Sequence, residues 1–123
     1  MREGFLVMIE QIIKRDGRTA PFELDKIANA IFGAAQSVGG QDYEMAHELA
    51  EQVEKELEKT VSEKIPTVEQ IQDTVETVLI ESGHARTAKK YILYRNERTR
   101  VREMNTRLMK VYEDLTFKSS IEN

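Results

Sequence analysis

The stretch Ile12-Ile13-Lys14-Arg15-Asp16-Gly17-Arg18, continued by Pro21-Phe22-Glu23-Leu24-Asp25-Lys26-Ile27, decides how the rest of the chain is read. It joins an apolar run, a cationic turn and a helix start. An Asp-Gly pair after β-favouring residues suits a type I′ hairpin turn, because Gly, and to a lesser degree Asp, tolerates the positive φ that such a turn needs. Lys14, Arg15 and Arg18 then crowd the tip. Shortly afterwards the chain enters a helix whose first N–H groups have no intrahelical partner and carry partial positive charge. Lys26 lies in that turn, so backbone dipole and lysine favour an anion at the same place.

Outward from this stretch, hydrophobic patterning predicts one strand over Met8 to Ile13 and a shorter partner over Arg18 to Pro21. Two strands alone are marginal, so a third strand or a packed layer is expected beneath them. Lys64-Ile65-Pro66 is the candidate, with Pro at a strand terminus. The first helix is expected from Leu24 to Val38, with Ile27, Ala30, Ile31, Ala34, Ala35 and Val38 on one face and Gly39-Gly40 as its stop. A second begins at the N-cap Asp42 and carries Ala46, Leu49, Ala50, Val53 and Leu57 along one stripe. Thr67-Val68-Glu69-Gln70 has capping-box spacing and opens a third helix bearing Ile71, Val75, Val78 and Leu79 and ending at Gly83. From Ala85 no breaker occurs until beyond Leu115. Thirty helical residues span roughly 45 Å, so the far half of this last helix is expected to leave the bundle. The fold class is α+β and mainly α: a four-helix bundle capped by a small β-hairpin or a three-stranded antiparallel sheet, with the last helix extended.

Composition narrows the chemistry. A chain of 123 residues, 40% hydrophobic and 33% charged, suits one compact domain. No apolar run approaches the roughly 20 residues that span a bilayer, and Phe5-Leu6-Val7-Met8-Ile9 is too short for a signal peptide, so a cytoplasmic location without membrane contact is expected. Cys is absent, which removes disulfides, thiolate metal sites and thiol chemistry from these residues. His84 stands at a helix junction and His47 alone on an acidic helix; both read as non-catalytic, and no metal site is expected. The net charge of −4 is unevenly placed. Acids dominate from Asp42 to Ser82, where only Lys55, Lys59 and Lys64 oppose them, whereas bases dominate from Arg86 to Lys110. Local potential rather than net charge governs docking, so an anionic partner at the basic end is permitted.

Several of these segments together carry a family resemblance. Ile13-Lys14-Arg15-Asp16-Gly17-Arg18, Pro21-Phe22, Asp25-Lys26-Ile27, Val68-Glu69-Gln70-Ile71-Gln72-Asp73 and Ala88-Lys89-Lys90-Tyr91-Ile92-Leu93-Tyr94-Arg95 resemble, in order and spacing, an ATP-cone, the nucleotide-sensing domain at the N-terminus of many ribonucleotide reductases. Arg100-Val101-Arg102-Glu103-Met104-Asn105 and the residues after it resemble the region leading into the catalytic part of anaerobic ribonucleoside-triphosphate reductases. The resemblance divides the chain into a leader (1–7), a nucleotide-binding cone (8–98) and a helical extension toward a catalytic domain (99–123). It implies a regulatory fragment, not catalytic by itself, with ATP or dATP as allosteric ligand accompanied by Mg2+, ATP activating and dATP inhibiting. The hairpin would act as a lid. The implied triphosphate contacts are Lys14, Arg15 and Lys26; Ile12, Ile71 and Gln72 match positions near base and sugar; Tyr94, Arg95 and Arg98 lie on the face of the last helix that would close the site. Glu23 stands where the family often has Asp or Asn, and Glu is a poorer N-cap. The implied partners are the catalytic domain of the same reductase and a nucleotide-driven homo-oligomer.

Two alternatives use the same residues. A nucleotide-dependent repressor of reductase genes would use the basic segment on phosphate backbones, but such repressors carry a four-Cys zinc ribbon ahead of the cone, and the chain has no Cys, so nucleic acid is disfavoured. A helix-pairing interaction module would use the stripe Val101, Met104, Leu108 and Val111.

Overall fold

The fold was analysed in a computed structural model that describes residues 9–61 and 65–122, with side chains to Thr116. The expected leader, the start of the first strand at Met8 and Lys64 of the candidate third strand lie outside the described residues. The chain divides into two units, one reaching to Tyr91 and the other from Ile92 onward.

In the first unit, β1 (Gln11–Ile13) pairs antiparallel with β2 (Thr19–Pro21), with Ile12 opposite Ala20 and Ile13 opposite Thr19. The turn differs from the expected two-residue type I′. Lys14 N–H bonds to the Arg18 carbonyl at 2.7 Å, and Gly17 N–H returns to the Lys14 carbonyl at 2.9 Å. The loop is therefore Arg15-Asp16-Gly17, the three-residue kind that places a left-handed residue third. Gly17 supplies it at φ +90°. Asp16 spends its carboxylate locally, accepting from the Arg18 backbone N–H (3.0 Å) and from Arg18 Nε (2.8 Å), which closes the turn without requiring positive φ at Asp16.

Of the two sheet options, the described residues form the hairpin. In place of a third antiparallel strand at 64–66 there is a parallel bridge between Ile13 and Thr67, with Ile13 N–H donating to the Pro66 carbonyl at 2.9 Å. Proline has no N–H to extend a ladder, and helix begins immediately after Thr67, so pairing stops there.

Helix α1 (Leu24–Gln36) ends two residues before the expected Val38, because Ser37, Val38 and Gly39 form the turn that caps it. Gly39 takes φ +94° and Gly40 N–H bonds back to the Ala35 carbonyl at 2.8 Å, a Schellman closure. Its buried residues are Ile27, Ala28 and Ile31. Ala30, expected on the core face, is exposed, and Ala28 takes its place. Helix α2 (Tyr43–Thr60) starts as expected, with Asp42 accepting from Met45 N–H at 3.0 Å, and buries all five residues of its stripe. Helix α3 (Val68–Glu81) opens on the full capping box of Thr67 and Gln70 and buries Ile71, Val75, Val78 and Leu79.

Helix α2 packs against both α1 and α3. Leu57, Leu79, Val53, Ile31 and Val75 are the large side chains sealed most completely, and Ala88 and Tyr91 join them from the opening of helix α4 (Ala85–Glu122). The second unit is the remainder of α4. By itself it exposes Val101, Met104, Leu108, Val111 and Leu115. No helix among the described residues is long and apolar enough to cross a membrane.

Candidate functional site

The hairpin, the start of α1 and the first turns of α3 enclose a cleft of about 580 Å³. Each element is aimed there by its local chemistry. The hairpin register turns Ile12 inward beside Ala20, and the three-residue loop puts Lys14 and Arg15 at the same end. The bond from Ile13 to Pro66 fixes that strand against the entry of α3, whose capping box sets the helix phase and delivers Val68, Ile71 and Gln72 one turn apart. Lys26 and Ala30, four apart on α1, share the face that looks into the cleft.

The structure thus brings Ile12, Lys14, Arg15, Lys26, Ile71 and Gln72 onto one surface. Tyr94, Arg95 and Arg98 belong to the second unit. There Arg98 Nη1 donates to the Tyr94 hydroxyl at 3.0 Å, with the guanidinium 5.8 Å from the ring centroid. The cleft also uses residues that reading the sequence left in structural roles, Phe22, Ile27, Ala30 and Val68, and it is lined by Tyr91 of the resembling segment 88–95. The i, i+4 relation of Ala30 to Lys26 was a usable signal for one of them.

Apolar and charged surfaces meet in this cleft. Ile12, Phe22, Ile27, Val68 and Ile71 supply aliphatic and aromatic wall, while Lys14, Arg15 and Lys26 supply positive charge. The three cations are not equivalent. Arg15 donates through Nη1 to Glu69 Oε2 and through Nη2 to Gln72 Oε1 (3.1 Å), so hairpin and α3 are tied together by side chains as well as backbone. Lys26 lies 3.8 Å from Glu23, with its own side chain 78% exposed. Lys14 makes no ion pair among the described residues. Arg18 is turned onto Asp16 and does not line the cleft. That contact, with Arg18 N–H second and Lys14 further off, holds the Asp16 carboxyl below its ordinary pKa.

At the α1 entrance, Glu23 is extended and its side chain caps nothing. The first-turn N–H groups of α1 therefore lack a side-chain acceptor from the N-cap, on the element that also carries Lys26. A cleft with cations in its lining, an uncapped helix start and apolar walls has the parts needed to hold an anion attached to a flat apolar group.

Hairpin, helical core and cleft define a small, mainly helical α+β domain built around a ligand-sized opening. The chain belongs to the ATP-cone family: the model for the ATP cone domain matches residues 10–100. ATP-cone domains bind adenine nucleotides as allosteric ligands. The chain is similar to a vitamin B12-dependent ribonucleoside-diphosphate reductase of Thermoplasma acidophilum, at 43% identity over 113 residues that cover 88% of this chain and 14% of the relative. An anaerobic ribonucleoside-triphosphate reductase of Haemophilus influenzae is 37% identical over 111 residues, covering 90% of this chain and 16% of that one. A ribonucleoside-diphosphate reductase alpha subunit of Chlamydia muridarum is 38% identical over 101 residues, covering 75% of this chain and 10% of that one. The chain therefore spans about one-seventh of the length of the first two.

Proposed function

We propose that this chain is the ATP/dATP sensor of an anaerobic ribonucleoside-triphosphate reductase, with ATP keeping the enzyme active and dATP switching it off. The observation that carries the reading is the meeting of Lys14, Arg15 and Lys26 with Ile12, Ile71 and Gln72 on one cleft in an ATP-cone. In this reading the cations take the triphosphate, Ile12 and Ile71 flank the base, and Gln72 reaches the sugar. The nucleotide-binding part of the proposal rests on the first unit alone. Among the described residues no group of three or more His, Cys, Asp or Glu side chains is placed to hold a metal, so Mg2+ would arrive on the phosphates. The anaerobic enzyme is named on the resemblance of the segment from Arg100 onward to its approach to the catalytic region, against the higher identity of the vitamin B12-dependent relative, 43% compared with 37%; the extension 99–123 then leads toward that partner.

ATP and dATP share the triphosphate, so phosphate contacts give affinity with little discrimination. Only the 2′-hydroxyl differs. One hydrogen bond of about 1 kcal/mol shifts a balance roughly fivefold, so the switch requires two arrangements, or two oligomers, that are already close in free energy. Calorimetric titration of the chain with ATP and with dATP tests the reading, and the same samples on a sizing column test ligand-driven assembly. Saturable binding of both nucleotides is expected; no heat at millimolar ligand sinks the proposal.

A further inference from the structure

Arg15 is the cation of the cleft whose charge is most fully engaged. Its two outer nitrogens are held by Glu69 and Gln72, which lie three apart on one face of α3. Its side chain is 33% exposed, against 78% for Lys26. Glu69 itself is outside the lining of the cleft and half exposed, with no ligand role in the reading above.

A guanidinium binds phosphate best through two parallel N–H donors. In the ligand-free arrangement each outer nitrogen of Arg15 already spends one of its two N–H groups, so a phosphate that docks on the guanidinium finds only part of its five donors unspent and a carboxylate at its side. A polyphosphate entering the cleft therefore competes with Glu69 for the guanidinium, and it does so beside a second negative charge. We infer that Glu69 is a resident competitor for the ligand's phosphates: it latches the hairpin tip to α3 when the cleft is empty and sets a threshold that an incoming polyphosphate must exceed. This rests on the nucleotide reading of the cleft. It assigns to Glu69 a role in regulating affinity that acts through Arg15.

The latch separates ligands by charge. A nucleoside without phosphates leaves Arg15 on Glu69, whereas a triphosphate exchanges one anion for another. Neutralising Glu69 should then favour phosphate-bearing ligands only. An exposed ion pair is weak, so the gain is about two- to fivefold in affinity.

The test compares the full chain with Glu69→Gln, Arg15→Ala and the double variant, titrated at one ionic strength with ATP, inorganic tripolyphosphate and adenosine. Thermal melts confirm that each is folded. Glu69→Gln is expected to tighten ATP and tripolyphosphate two- to fivefold, to leave adenosine unchanged, and to lose its gain in the Arg15→Ala background. Weaker ATP binding by Glu69→Gln, an equal shift for adenosine, or a gain that persists without Arg15 overturns the latch while leaving the nucleotide reading in place. No ATP binding by the unaltered chain overturns both.

Discussion

Ile13 donates its backbone N–H to the Pro66 carbonyl at 2.9 Å, and that bond ties the hairpin to the entry of α3 at the point where Thr67 begins to cap the helix. The same few residues therefore set both the cleft wall and the stability of α3. Thr67→Ala removes the hydroxyl that accepts from Gln70 N–H and leaves only the half of the capping box in which the backbone N–H of residue 67 donates to the Gln70 side chain. The expected cost is about 1 kcal/mol, read by urea denaturation. Because Val68, Ile71 and Gln72 lie in the first turns of that helix, calorimetry should also show weaker ATP binding.

Lys14 and Lys26 stand on different elements and carry the more available positive charge of the cleft. Replacing either with Ala is expected to weaken ATP and dATP together by about tenfold, the size of a charged hydrogen bond of roughly 1.5 kcal/mol. Both losses should shrink as salt rises, since exposed charges are screened. A loss confined to dATP would contradict the assignment of these lysines to phosphate.

Much of this site was legible in the sequence where residues act locally. The Asp42 and Thr67 caps, the α2 stripe and the Lys14 to Lys26 cationic stretch depend on neighbours within a few positions. What was illegible depends on partners far along the chain. The hairpin loop gained a residue because Asp16 closes on Arg18, a side-chain choice that an Asp-Gly pair does not specify. Ala30 was assigned to the core by helical period, yet the hairpin on that side leaves a cleft, so Ala28 is buried instead. The engagement of Arg15 by Glu69 spans 54 positions and has no local signature.

The two units should respond differently to loss of a leucine. Leu57 is fully buried in the first unit, and Leu57→Ala is expected to cost about 2–5 kcal/mol through lost burial and the cavity left behind. Leu108 is 61% exposed in the second, and Leu108→Ala should change stability by less than about 0.5 kcal/mol. A large effect at Leu108, with a concentration-dependent melt, would show that its stripe pairs with another helix in solution.

Two carboxylates should give pH responses of opposite sign. Asp16 is held below its ordinary pKa by Arg18, so its contribution is present above the unfolded value and disappears as pH falls through the depressed folded value. Asp16→Asn should therefore melt below the unaltered chain at neutral pH, and the two should converge in acid. Glu54 is raised, first by burial and then by Glu58 and Glu51, so its ionised form works against folding. That penalty develops as pH rises from the ordinary glutamate value through the raised one and is complete at neutral pH. Removing the like-charge i, i+4 contact with Glu58 gives Glu54→Gln an expected gain of about 0.2–0.5 kcal/mol at neutral pH. The gain should vanish below the ordinary glutamate pKa, where Glu54 is protonated in both states. Melting curves of both variants across an acid-to-neutral series check the two signs against each other in one experiment.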